Sequence, residues 1–167
     1  MIGRILSAVL VAGLALSAPK VAMAEDRGPV TNLPLPRYVS MKAAEGYARR
    51  GPSSTHRIDW VFTRRHMPLR IVAEYGHWRR VQDREGAGGW MHYSLLSGNR
   101  TVLVEGEETV LYRQPATGGA MRARLQGGVV AWLDECANGW CKLSVDGVEG
   151  WAQTSGLWGV AQGEVRD

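Results

Sequence analysis

The 167-residue chain has only two cysteines, Cys136 and Cys141, and a single phenylalanine, Phe62. A C-x₄-C pair lacks the two-residue spacing of thioredoxin-like motifs, and zinc would need two further ligands. The histidines do not supply them. His56, His66, His77 and His92 all lie well before the cysteines, at no ligand spacing relative to them. No metal and no cofactor is therefore implied. No long stretch shows the 3.6-residue apolar period of an amphipathic helix, so the coarse reading is all-β. No cysteine follows the N-terminal apolar core, which excludes a lipid anchor at a cleavage site.

That apolar core, ILSAVLVAGLALSA, follows the short basic start MIGR and precedes the small-x-small triplet AMA at 22–24. The pattern is that of a secretory signal peptide over 1–24, and the run is too short to span a bilayer comfortably. The expectation is a mature chain starting at Glu25 in the periplasm or outside the cell, with no stable membrane insertion after cleavage. There the cysteines would meet an oxidising compartment.

Charge is modest in total but unevenly spread. Residues 38–102 carry eleven Lys and Arg against five Asp and Glu, whereas 103–160 carry four against seven. Either the two halves attract each other or the basic half faces an anionic partner. Nucleic acid is a poor candidate for that partner outside the cytoplasm.

The same boundary appears as an internal repeat. YGHWRRVQDREGAGGW (75–90) aligns with ANGWCKLSVDGVEGW (137–151), matching Trp78 with Trp140, Val81 with Leu143 and Gly89-Trp90 with Gly150-Trp151. Upstream, LRIVAE (69–74) matches VVAWLDEC (129–136), and GYARRGP (46–52) resembles VLYRQP (110–115). Each unit runs from a short strand through a Pro/Gly-bearing loop to a three-strand meander. The organisation expected is a Pro-bearing extended leader at 25–37, one domain at 38–102, a second at 103–160, and a frayed tail at 161–167.

Turn chemistry sets the register. With Asn138-Gly139 as a two-residue type I′ turn, Ala137 faces Trp140 and Cys136 faces Cys141. That second pair is not hydrogen-bonded, so its Cα atoms approach to about 4.5 Å, within disulfide range. A cross-strand disulfide is the expected state, with a redox, metal or free-thiol role as the alternative. In the first repeat a Gly76-His77 turn sets Glu74 opposite Arg79, an ion pair in the place of the disulfide. Asp146-Gly147 then pairs Val145 with Val148, Leu143 with Gly150 and Lys142 with Trp151. Alternation sends Cys141, Leu143, Val145, Val148 and Ala152 to an apolar face. Trp140, Lys142, Ser144, Glu149 and Trp151 go to the other, where burial alone does not explain two tryptophans.

With those residues in place, the chain resembles the bacterial SH3-like (SH3b) domains, and more narrowly the tandem SH3-domain proteins exported by alphaproteobacteria. The segments that carry the likeness are LPLPRYVSMKA (33–43), RRGPS (49–53), WVF (60–62) and WRRVQD (78–83) in the first repeat. GWMHYSLLSGNRT (89–101), GWCKL (139–143) and LWGV (157–160) continue it to the end of the second. The resemblance implies two tandem SH3-like small β-barrels without a reaction of their own. It also implies that Trp78, Trp90, Trp140 and Trp151 line ligand grooves. The Pro-bearing 3-10 turn and acidic loop of PxxP-binding SH3 domains are missing. HYSLLSG (92–98) and TSGLWGV (154–160) stand where the turn would be.

Candidate ligand-binding residues are thus Trp78, Trp90, Trp140 and Trp151 with Arg79, Arg80 and Lys142. For the four tryptophans, packing between the two barrels is the competing reading. Trp60, Trp132 and Trp158, in apolar surroundings, are expected in the core or closing the barrels. The run RRHMPLR (64–70) with Arg79, Arg80 and Arg84 is either an anion-binding surface or a solvated loop and strand edge. A Cys-His hydrolase is disfavoured because Cys141 sits on the inward face of a strand and not at a helix start. The expected function is an exported, non-catalytic adaptor recognising cell-wall peptide or glycan, or an envelope protein. A structural or assembly factor and an accessory subunit of a cell-wall hydrolase are the alternatives.

Overall fold

The computed structural model describes residues 26–166, so the expected signal peptide at 1–24 lies outside the described residues. The first sheet comprises β1 (Arg37–Met41), β2 (Gly46–Arg49), β3 (Ile58–Phe62), β4 (Pro68–Tyr75), β5 (Trp78–Gln82), β6 (Gly88–His92) and β7 (Leu96–Ser97). The second comprises β8 (Thr101–Val104), β9 (Glu108–Tyr112), β10 (Met121–Gln126), β11 (Val130–Ala137), β12 (Trp140–Val145), β13 (Val148–Gln153) and β14 (Leu157–Trp158). A 3-10 turn without proline, Tyr93–Leu95 or Thr154–Gly156, precedes the last strand of each. No helix among the described residues is long and apolar enough to cross a membrane.

The strand orders are β3-β2-β6-β5-β4-β1-β7 and β10-β9-β13-β12-β11-β8-β14, so the internal repeat is a repeat of topology. Both sheets are antiparallel. Neither closes into a barrel, and the expected pair of small β-barrels is corrected to two open seven-stranded sheets. Closure needs the two end strands to bond each other. Here the two residues of β7 pair with β1, and β3 pairs only with β2.

The hairpins follow the register set by their turns. Asn138 and Gly139 have φ of 51° and 80°, Asp146 and Gly147 of 50° and 81°, the positive pairs that type I′ turns demand. Cys136 is opposite Cys141, Ala137 opposite Trp140, Lys142 opposite Trp151 and Glu74 opposite Arg79. A bulge interrupts both long hairpins at equivalent places, between Ile71 and Ala73 and between Leu133 and Glu135. Because a bulge adds one residue to one strand, positions three apart face the same way. That is how Ile71 and Glu74 both point inward, as do Leu133 and Cys136.

Each sheet wraps its own core. Met41, Leu69, Ile71, Val81 and Met91 centre the first, and Val102, Val104, Leu111, Leu143 and Ala152 the second. Cys136 and Cys141, disulfide-bonded with Cα atoms 4.1 Å apart, belong to the second core. The first unit has Glu74 at that place. Its side chain is fully buried, yet it accepts bonds from Thr31 Oγ1 at 2.7 Å, Thr31 N–H at 2.9 Å, Arg37 Nη2 at 2.6 Å and Val30 N–H at 3.2 Å. Burial pushes this carboxyl upward. The donors from Thr31, Arg37 and Val30 outweigh it and leave the pKa at about 2.

Glu74 therefore holds the leader, which doubles back instead of running on. Leu35 N–H bonds Asp26 O at 2.7 Å and Gly28 N–H bonds Leu33 O at 2.8 Å. A Cβ on Gly28 would lie 2.3 Å from a Glu74 carboxylate oxygen, so any larger residue there would displace that side chain. The tail is also tied rather than frayed: Arg166 and Cys136 exchange backbone bonds of 2.9 and 3.0 Å, and Glu164 pairs with Arg100 at 3.0 Å.

The two units meet at the linker and along β4 and β8. Thr101, almost fully buried, donates to His66 O at 2.7 Å, and Arg64 Nη1 donates to Gly128 O at 2.8 Å. Tyr38 meets Trp158 edge-on at 5.3 Å, and His66 lies 4.6 Å from the Trp132 ring. Trp132 and Trp158 are thus contact residues between units, and Trp132 remains 37% exposed. Trp60 departs furthest from the expected core position: it is 45% exposed because β3 is an edge strand.

Candidate functional site

The outer face of the central meander holds the tryptophans. In the second unit Trp140 is opposite Gln153, and Trp151 is opposite Lys142 on one side and Tyr112 on the other. All three aromatics are half-buried, and Tyr112 meets Trp140 edge-on with centroids 5.8 Å apart. Lys142 stands beside them, its ammonium 3.3 Å from Glu149.

The first unit repeats the pattern with changed chemistry. Trp78 is opposite His92, and Trp90 is opposite Arg80 on one side and Arg49 on the other. Arg49 thus replaces Tyr112, and Arg80 replaces Lys142. Trp78 meets His92 edge-on at 5.7 Å, and His92 leads on to Tyr93 at 4.9 Å and to His77 at 5.9 Å. Each GW motif has a steric reason. A Cβ on Gly89 would lie 2.5 Å from Arg49 O, and one on Gly150 would lie 2.8 Å from Leu111 Cβ. The glycine lets the neighbouring strand approach beneath, which leaves the next residue, tryptophan, standing over it.

The sequence-selected residues do not all share this face. Trp78, Trp90 and Arg80 do so in the first unit, and Trp140, Trp151 and Lys142 in the second. Arg79 points the other way. It is 7% exposed, lies 3.5 Å from Glu74 and donates to the carbonyls of Gly76 and Trp78. The arginines of the run 64–70 and Arg84 have separate partners, although Arg64 and Arg84 line one hollow. Arg64 bonds Gly128 O, Arg70 bonds Gln82 Oε1 at 3.2 Å, and Arg84 pairs with Glu85. Arg49 and Tyr112 were not singled out from the sequence. The aligned segments GYARRGP and VLYRQP already placed them at the same repeat position.

Among the described residues no group of three or more His, Cys, Asp or Glu is placed to hold a metal ion. The face offers aromatic planes, amide and imidazole groups and cations, which suits recognition of a flat or sugar-like group beside a negative charge.

Among solved structures the chain is similar to NlpC2 from Trichomonas vaginalis at 12% identity and a TM-score of 0.35, over 74% of this chain and 48% of that one. It is similar to NlpC1 from the same organism at 13% and 0.33, over 73% and 45%. The chain spans about half the length of those structures, and likeness at this level bears on neither activity nor partner. No curated protein matches it. The bacterial SH3 domain family matches twice, at residues 42–98 and 105–159. With two equivalent sheets of the same strand order, each carrying its own tryptophan face, the chain belongs to that family as a tandem of non-catalytic SH3-type interaction domains.

Proposed function

We propose that the protein is an exported binding adaptor that recognises cell-wall peptide or glycan, or an envelope protein, through the faces of Trp78 and Trp90 and of Trp140 and Trp151. The observation that carries the reading is their placement. The ring contacts of Trp78 and Trp140 are to His92 and Tyr112 of their own units, while Trp132 and Trp158 make those between units. Among the described residues no ring contact between the units involves any of the four candidates. Arg80 and Lys142 beside them suit the carboxylates of stem peptides. Export rests on the signal-type N-terminus.

Retention of the mature protein on purified sacculi and on immobilised envelope extract tests the proposal. Trp78→Ala and Trp140→Ala should each reduce retention at least about tenfold, in the range of aromatic binding hot spots, while shifting Tm little. Loss of stability without any wild-type retention favours the structural-factor alternative.

A further inference from the structure

A second feature lies apart from Trp140 and Trp151, where leader, first sheet, linker and tail converge. A cavity of about 400 Å³ there has four arginines in its lining, Arg37, Arg79, Arg100 and Arg166. Leu33, Val39, Ile71 and Leu96 give it apolar walls, and Thr31 and Ser97 add hydroxyls. That volume lies in the range of small-ligand sites.

The cationic charge is only half answered from within. Arg37 and Arg79 share the single carboxylate of Glu74, and Arg100 is held by Glu164. Arg166 makes no ion pair among the described residues, although Asp134 lines an adjoining hollow. Nη1 of Arg37 and the Nε atoms of Arg100 and Arg166 are buried without a hydrogen-bond partner. Arg37, Arg79 and Arg100 have side chains only 17%, 9% and 12% exposed. Desolvated donors without partners are costly, and a cluster of like charges adds to the cost. An anion held by the guanidinium nitrogens that face the cavity would offset the like charge.

We infer that this cavity binds an organic carboxylate carried next to an apolar group. The guanidinium fork matches a carboxylate in a bidentate manner, and the aliphatic walls favour an acid with a hydrocarbon body over a bare inorganic anion. The C-terminus of a peptide and a free short-chain acid share that chemistry. Tyr93, exposed and against His92, lines the cavity as well, so the site abuts the first unit's aromatic face. Its lining includes neither Trp140 nor Trp151.

Titration calorimetry on the full mature chain with acetyl-Ala-Ala-Leu, its C-terminal amide, 4-methylpentanoate and inorganic phosphate tests the inference. The free-acid peptide should saturate and the amide should bind at least about tenfold more weakly, the loss of about one charged hydrogen-bonded contact. Equal binding of 4-methylpentanoate identifies a free acid as the sufficient ligand, and binding of the peptide alone identifies a chain terminus. Arg166→Gln removes no ion pair among the described residues, so it should weaken acid binding about tenfold at unchanged Tm. Trp140→Ala should leave acid binding intact, which separates this site from the tryptophan-face reading. Three results would overturn it: no saturable binding of either acid, equal binding of acid and amide, or phosphate binding as tight as the peptide. Unchanged affinity in Arg166→Gln would do so too.

Discussion

Glu74 and the Cys136–Cys141 disulfide occupy the same place in the two repeats and solve the same problem by different chemistry. Each cross-links the mouth of a long hairpin, and the carboxylate also gathers the leader. Its folded pKa of about 2 is below the ordinary value of 4.5, so its contribution to stability is present above about pH 4.5. That contribution is lost as the pH falls through about 2. Glu74→Gln should cost about 3 kcal/mol at neutral pH, because Arg37 and Arg79 are left buried without their anion. Its urea midpoint should also vary less than wild type over that acid range. In the other repeat, intact mass should show both thiols of the protein purified without reductant oxidised, and quantitative alkylation would contradict this. Replacing both cysteines by alanine should cost about 2 kcal/mol, since the closed loop is short.

At the scale of elements, the hairpins are what the sequence states most clearly. Asn138-Gly139 and Asp146-Gly147 permit one turn geometry, and a two-residue turn leaves no freedom in the pairing that follows. The face assignment of Trp140, Lys142 and Trp151 is a consequence of that register. The bulges near Val72 and Asp134 were not legible, because no residue type there demands one. Nor was the exposure of Trp60, since its neighbours do not reveal that β3 lies at a sheet edge. The GW glycines are under a stricter constraint than turn glycines. Gly150→Ala should cost about 2 kcal/mol, as its Cβ would collide with Leu111 and the Tyr112 carbonyl. Gly98→Ala, with no atom within 4 Å of the added Cβ, should stay within about 0.5 kcal/mol in the same denaturation series.

For the whole molecule, the opposite charges of the two halves suggest electrostatic docking. The contacts between the sheets are instead the Thr101 and Arg64 hydrogen bonds to backbone carbonyls and two ring pairs, and among the described residues no ion pair joins the two sheets. Small-angle scattering should therefore give the same radius of gyration at about 0.1 M and about 1 M salt, where screening lengths differ about threefold. Expansion at high salt would restore charge attraction as the cause. The sequence by itself determined the all-β class, the twofold repeat, the hairpin registers, the disulfide pairing and the tryptophan face, because turns and alternation act over a few residues. Only the tertiary structure decided that the sheets stay open, that the leader folds back onto Glu74, and that Trp132 and Trp158 face the other unit. It alone brought Arg37, Arg79, Arg100 and Arg166 around one cavity. Those outcomes depend on where distant segments return to one another, and no local periodicity encodes that return.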